Sequence, residues 1–173
     1  MRITGGTLKG QILKNGFAAH VRPTTDFVRE ALMNYLTHRY EISGATVLDL
    51  FSGSGIMALE FLSRGAASVL SVDKDTKNIR YQQVISKEKN LPDWQINKGD
   101  VFKTLGDDMV MYDIIFADPP YDLPNLVQLP ELALPRLKPG GVFVLEHRPG
   151  MVFPVPPVET RKYGSSAIGI FIP

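Results

Sequence analysis

Residues 46–55 read Thr46-Val-Leu-Asp-Leu-Phe-Ser-Gly-Ser-Gly55, an apolar, β-prone run that stops in a turn carrying two glycines. Such a run predicts a strand buried on both faces. Gly53 and Gly55 let the backbone turn sharply, with no Cβ to keep it from a ligand, into a helix ending near Arg64. The unit then recurs. Ser68–Asp73 (SVLSVD) predicts a second strand, followed by a helix from about Thr76 to Lys89. Trp94–Asn97 predicts a third strand, Tyr112–Ala117 (YDIIFA) a fourth, and Gly141–Glu146 (GVFVLE), after the turn Lys138-Pro-Gly-Gly141, a fifth. Val158–Tyr163 and Ala167–Ile172, split by Gly164-Ser-Ser166, predict a closing antiparallel pair. Buried strands alternating with helices predict an α/β, Rossmann-like, mostly parallel sheet with an antiparallel C-terminal edge hairpin.

Upstream of this core, Thr24 or Thr25 can cap a helix whose Phe27, Ala31, Leu32, Tyr35 and Leu36 recur on one face. Residues 1–15 place short β-prone pieces (Met1–Thr4, Gln11–Leu13) around Gly5, Gly6 and Gly10, which predicts a small N-terminal β-hairpin arm. The expected organisation is one domain over 1–173, with the arm in 1–23 and the core in 24–173.

The 173 residues are 44% hydrophobic and 21% charged with a net charge of +1, so a disordered chain is excluded and a single globular core is expected. The absence of a membrane-length apolar run or a signal-peptide core predicts a cytoplasmic protein. With no cysteine, disulfides, thiolate metal sites and cysteine nucleophiles are excluded, and three scattered histidines (His20, His38, His147) argue against a metal centre. Charge is uneven: residues 1–40 hold six basic and two acidic residues, the remainder 13 basic and 16 acidic. Arg2, Lys9, Lys14, Arg22 and Arg29 thus form either an uneven solvated surface or a phosphate-contacting arm.

In a doubly wound sheet ligands bind at the carboxyl ends of the strands. After strand one, Gly53-x-Gly55-x-x-Ala58 satisfies a weak dinucleotide fingerprint that also fits a plain helix-capping turn. Asp73, at the end of strand two, can accept both hydroxyls of a ribose, or can serve as a turn residue before Lys74-Asp75. Asp100 can accept from an adenine amine, with Val101 or Phe102 against the ring; on its own the reading as an N-cap is stronger. Strand four decides between these. Asp118-Pro119-Pro120-Tyr121 puts a carboxylate, a rigid backbone with free carbonyls and an aromatic ring at a strand exit. Accepting hydrogen bonds from a planar base's exocyclic amine, by Asp118 and the Pro119 carbonyl, favours a pyramidal nitrogen whose lone pair can meet an electrophile. Tyr121 would stack on the base. An electrophile carried on an adenosine satisfies all four strand ends, and S-adenosyl-L-methionine is that molecule.

Asp49-Leu-Phe-Ser-Gly-Ser-Gly55, Asp73 and Asp118-Pro-Pro-Tyr121 resemble the motifs of class I, amino-directed methyltransferases. Over essentially its whole length the chain resembles the RsmD family, which methylates the guanine N2 amine of 16S ribosomal RNA. The resemblance includes Arg2-Ile-x-Gly-Gly6, Lys9-Gly10, Arg22-Pro-Thr-Thr-Asp-x-Val-Arg-Glu30 and Lys162-Tyr-Gly164. It implies that Asp49, Phe51, Gly53, Gly55, Asp73, Lys74, Asp100 and Val101 line the cofactor pocket and Asp118–Tyr121 the target-base pocket. Asp73 stands where this class more usually has glutamate, and the chain is short and proline-rich near Met151–Pro157. The implied partner is 16S ribosomal RNA within a small-subunit assembly particle, bound by a monomer without metal or membrane. Two alternatives stay open: the same chemistry on adenine N6 of DNA or RNA, and a non-catalytic nucleotide-binding RNA module.

Overall fold

The computed structural model describes residues 1–14, 16–18, 25–107 and 109–173. Helix α1 (Asp26–Arg39) precedes alternating strands and helices: β1 (Thr46–Leu50), α2 (Ile56–Ser63), β2 (Ser68–Asp73), α3 (Thr76–Glu88), β3 (Trp94–Lys98), α4 (Val101–Asp107) and β4 (Tyr112–Ala117). They are followed by α5 (Leu129–Ala133), β5 (Leu137–His147), β6 (Glu159–Tyr163) and β7 (Ser166–Phe171). The seven strands form one sheet in the order β3-β2-β1-β4-β5-β7-β6. The first five pair in parallel, while β7 runs antiparallel to β5 and β6 antiparallel to β7. The expected mostly parallel sheet with an antiparallel edge is therefore present. Strand order reverses between β1 and β4, which opens the crevice of a doubly wound sheet at their carboxyl ends.

Side-chain alternation along the strands makes two cores. Val47, Ile114, Phe116, Val144 and Ile168 pack with α1, α2 and α3 on one face. Leu48, Leu50, Ile115, Phe143 and Leu145 face α4 and α5 on the other. Helix α5 has no counterpart in the sequence reading, and α4 has only the N-cap expected at Asp100. Each is seven residues or shorter, and Pro130 is the second residue of α5, in the first turn, where its missing N–H costs nothing. Strand β5 is longer than expected, because Lys138–Gly140 continue it instead of forming a turn before it. Thr25 is the cap of α1, its hydroxyl accepting from the Val28 N–H at 3.3 Å, while Thr24 lies outside the described residues.

The N-terminal arm is a narrow antiparallel loop closed by one Arg2–Ile12 bridge, and it is part of the body. Ile3 and Leu13 are buried in the same core as α1 and α2. Leu8 N–H donates to Ser63 Oγ at 2.8 Å and Thr7 N–H to the Ser63 carbonyl at 2.7 Å. Ser63 ends α2, so the loop's tip, with Lys9, sits at the end of the sheet opposite the strand carboxyl ends. Arg29, expected from the sequence as a phosphate contact, does not reach the surface. Arg29 is fully buried, and its Nε donates to Glu60 Oε1 at 2.9 Å while Nη2 donates to Asp26 Oδ1 at 2.7 Å and to the Arg2 carbonyl at 2.5 Å. A buried guanidinium needs such a partner, because an unpaired charge in the core is costly.

Candidate active site

The turn after β1 is built from three residues in the left-handed region: Phe51 (φ 57°), Gly53 (φ 51°) and Gly55 (φ 74°). Phe51 is the telling one, since an aromatic residue there stores strain that its surroundings must hold, and such strain gathers at functional sites. At Gly55 a Cβ would lie 2.5 Å from the Trp94 ring, so packing demands glycine as much as φ does. Gln82 on α3 clamps the turn from behind, its Nε2 donating to Ser52 Oγ at 2.9 Å and to the Gly53 carbonyl at 2.8 Å.

Asp73 is 8% exposed and bonded to this turn. Its Oδ2 accepts from the Gly53 N–H at 2.7 Å and from Asn78 Nδ2 at 3.2 Å; its Oδ1 accepts from the Asp75 N–H at 2.8 Å. A carboxylate has about four acceptor positions, so Oδ1 keeps room for one further donor. That allows one ribose hydroxyl at Asp73, not the pair expected for a bidentate grip. Asn78 Oδ1 in turn accepts from the Ala18 N–H at 2.9 Å, linking the acid to residues 16–18.

Asp49 lies beneath the turn, 1% exposed. Burial pushes its pKa up to about 8; a Ser71 hydrogen bond opposes the shift and the Asp73 charge adds to it. Its Oδ2 accepts from Ser71 Oγ, which itself accepts from Trp94 Nε1 at 2.9 Å, so Asp49 braces the floor and does not line an open pocket. Val101 is likewise turned inward, 4% exposed within the α4–α5 core, and Phe102 is the half-buried neighbour. Asp100 is exposed and caps α4 through the Lys103 N–H at 3.1 Å, which leaves its second oxygen for a ligand. Lys74 is exposed beside Asp73.

These groups converge. Leu50 pairs with Ala117 and Asp73 with Lys98, and the Asp118 N–H reaches the Leu50 carbonyl at 3.5 Å. The glycine turn and the Asp118–Tyr121 segment thus flank the crevice where the strand order reverses. Pro119 is buried, and a turn from the Pro120 carbonyl to the Leu123 N–H (3.0 Å) fixes the segment. An adenosine-borne electrophile suits this donor set: a strained glycine turn, a buried carboxylate with one acceptor position left, and a second acid at Asp100. A separate cavity of about 820 Å³ runs from Asp100 along the sheet to Thr46 and Ser68, away from the carboxyl ends, and shares little with this site. Among the described residues no group of acids and histidines could hold a metal ion, and no helix is long and apolar enough to cross a membrane.

Tyr121 is held where sequence reasoning had left it free. Its hydroxyl meets Ser166 Oγ on β7 and donates to Glu146 Oε1 on β5 at 3.3 Å, and the Arg148 guanidinium lies 5.5 Å from its ring centre. Burial raises the phenol's pKa, with Glu146 and Asp118 adding to the shift against the Ser166 bond, so it stays protonated. Glu146, Ser166, Arg148, Asn78 and Gln82 were missed. Only the last two left a signal: polar residues on the buried face of an amphipathic helix, α3. Of the cations expected to grip RNA, Arg2, Lys9 and Lys14 are exposed, Arg29 is buried, and Arg22 lies outside the described residues.

The comparisons agree with this architecture. The Thermus thermophilus hypothetical protein TTHA0928 superposes with a TM-score of 0.87 at 29% identity, covering all of this chain and 99% of that one. The Escherichia coli protein yhhF, described as a candidate methyltransferase, gives 0.85 at 26% identity over 98% and 96% of the two chains. In sequence, Bacillus subtilis YlbH, described as a candidate rRNA methyltransferase, is 34% identical over 184 aligned residues, 99% of this chain and 98% of that one. Escherichia coli ribosomal RNA small subunit methyltransferase D is 35% identical over 123 residues, which is 70% of this chain and 60% of that protein. The family described as Conserved hypothetical protein 95 matches residues 1–171. With that match and a relative of this identity along its whole length, the chain belongs to the Conserved hypothetical protein 95, or RsmD, family.

Proposed function

We propose that this chain transfers the methyl group of S-adenosyl-L-methionine to the exocyclic N2 amine of a guanine in small-subunit ribosomal RNA, acting on an assembling particle. The observation that carries the proposal is the placement of Asp118–Tyr121 across the β1/β4 crevice from the glycine turn and Asp73. When bound, the cofactor supplies an electrophilic methyl. Asp73, Asp100, Lys74, Phe102 and the turn at Phe51–Gly55 hold it, with Asp49 and Gln82 keeping the turn in shape. Asp118 and the Pro119 carbonyl accept hydrogen bonds from the two N–H groups of the amine, which directs its lone pair into the crevice. The relatives named small subunit methyltransferase D support the ribosomal substrate.

The test is to incubate the protein with labelled S-adenosyl-L-methionine and small-subunit particles lacking the modification, then digest the RNA and identify the nucleoside. N2-methylguanosine is the expected product. N6-methyladenosine would move the chemistry to adenine, and binding without transfer would make the chain a recruiting module.

A further inference from the structure

The base pocket sits among carboxylates. Asp118 and the exposed Asp122 flank Pro119-Pro120-Tyr121, and the Glu146 side chain lies against the Tyr121 hydroxyl. A polyanionic RNA entering there meets like charge unless a cation stands at the same edge. The basic arm does not place its tip there, since Lys9 lies at the far end of the sheet, beside Ser63.

Arg148 does stand there. It follows β5 directly, is exposed, and makes no ion pair among the described residues. Its guanidinium rests over Tyr121 at 5.5 Å from the ring centre. That ring is itself fixed by hydrogen bonds to Glu146 and Ser166. Its backbone is pinned too. His147 Nδ1 lies 2.8 Å from the Arg148 carbonyl, which can only accept, so that nitrogen carries the proton. The His147 ring is buried edge-on against Phe153 at 4.9 Å, which roots the loop. Antiparallel pairing of β7 with β5 and of β6 with β7 brings the end of β6, with exposed Lys162, to the same edge. Arginine suits this post. Its planar, weakly hydrated fork stacks on an aromatic face and still offers N–H donors outward to phosphate.

We infer that Arg148 is the phosphate-gripping residue at the mouth of the base pocket, holding the RNA backbone beside the target nucleotide from the face of Tyr121. This rests on the RNA-methylating reading above. The held cation offsets the repulsion of Asp118, Asp122 and Glu146 and supplies part of the contact energy that lifting a base from its stack requires.

The experiment compares wild type, Arg148→Ala and Arg148→Lys, with unmodified small ribosomal subunits as the probe. Binding is measured over a range of salt, transfer kinetics are recorded on the same particles, and S-adenosyl-L-methionine affinity is measured by calorimetry. Arg148→Ala is expected to weaken particle binding about tenfold or more and to flatten the log–log salt slope by about 0.7–0.9. KM should rise while kcat at saturation and cofactor affinity stay near wild type. Arg148→Lys should keep the salt slope but not the full affinity, because the charge remains and the stacked fork is lost. Wild-type affinity and slope in Arg148→Ala would overturn the inference. So would a loss of cofactor affinity, which would put the guanidinium on the cofactor's carboxylate, or failure of the wild type to bind the particle. If wild type binds with this Arg148-dependent slope but transfers no methyl, the inference stands and the enzymatic reading fails.

Discussion

Asp118 and Tyr121 are the residues on which the proposed chemistry turns, and their surroundings separate the roles proposed for them. Asp118 is half-buried at a strand exit, where a carboxylate can accept from an amine as charge develops on it. Asp118→Ala is therefore expected to leave cofactor affinity near wild type and to lower methyl transfer by about a hundredfold or more, read as kcat on saturating particles. Tyr121→Phe keeps the ring but removes the hydroxyl that Glu146 and Ser166 hold. The stacking surface survives but loses its anchor, so kcat should fall several-fold with normal folding, more than a ring acting by stacking alone would predict. A wild-type rate in this variant would show that the hydroxyl network does not position the ring. Asp49 offers a test by pH. Its carboxyl titrates near 3.8 in an unfolded chain and at about 8 when buried here. Between those values the folded state holds a proton that the unfolded chain has released, so this group's contribution to stability falls as pH rises from about 4 to about 8. Asp49→Asn removes that dependence. Urea melts at pH 5 and pH 8 should show the variant gaining on wild type at the higher pH.

The elements are joined by one buried charge network more than by any single contact. Glu60 on α2 accepts from Arg29 Nε on α1 at 2.9 Å, from the Thr4 N–H at 2.9 Å and Thr4 Oγ1 at 3.0 Å in the arm, and from Arg64, the residue that caps the end of α2. Removing Arg29 leaves the buried Glu60 with Arg64 as its remaining counter-charge and takes a donor from Asp26 and from the Arg2 carbonyl, which costs more than the intact contacts contribute. Arg29→Ala should therefore lower stability by about 1.5–3 kcal/mol, measured as a shifted urea midpoint. What remains folded should bind the RNA particle with an unchanged salt slope, because this guanidinium does not reach solvent. A flattened slope with normal stability would return Arg29 to the RNA-contacting set.

At the scale of the molecule the arm belongs to the body. Ile3 and Leu13 are buried beneath α1 and α2, and deleting residues 1–14 exposes that core along with Glu60. Such a truncation is expected to lose several kcal/mol and to unfold at a clearly lower urea concentration; a wild-type midpoint would show that the arm is detachable. The sheet itself was legible in the linear chain, because apolar period and turn glycines are local signals. The bounds of β2 and β4 match their apolar runs, and the strained turn of Phe51–Gly55 lies where the glycines marked it. Asp73 and Asp118 were legible for the same reason: a residue that ends a buried strand sits at the carboxyl edge wherever the sheet goes. The fate of the other polar side chains was not legible. Arg29 meets Glu60 across 31 residues, and Tyr121 meets Ser166 across 45. A charge becomes a surface contact or a buried brace according to what folds over it, and a phenol becomes a free plate or an anchored one according to the register of β5 and β7. Local apolar period and turn residues mark the seven strands, the three longer helices and the strand edge where the proposed site lies. Which of the expected cations are exposed and which are buried follows from the fold, because burial of a polar group depends on partners far along the chain.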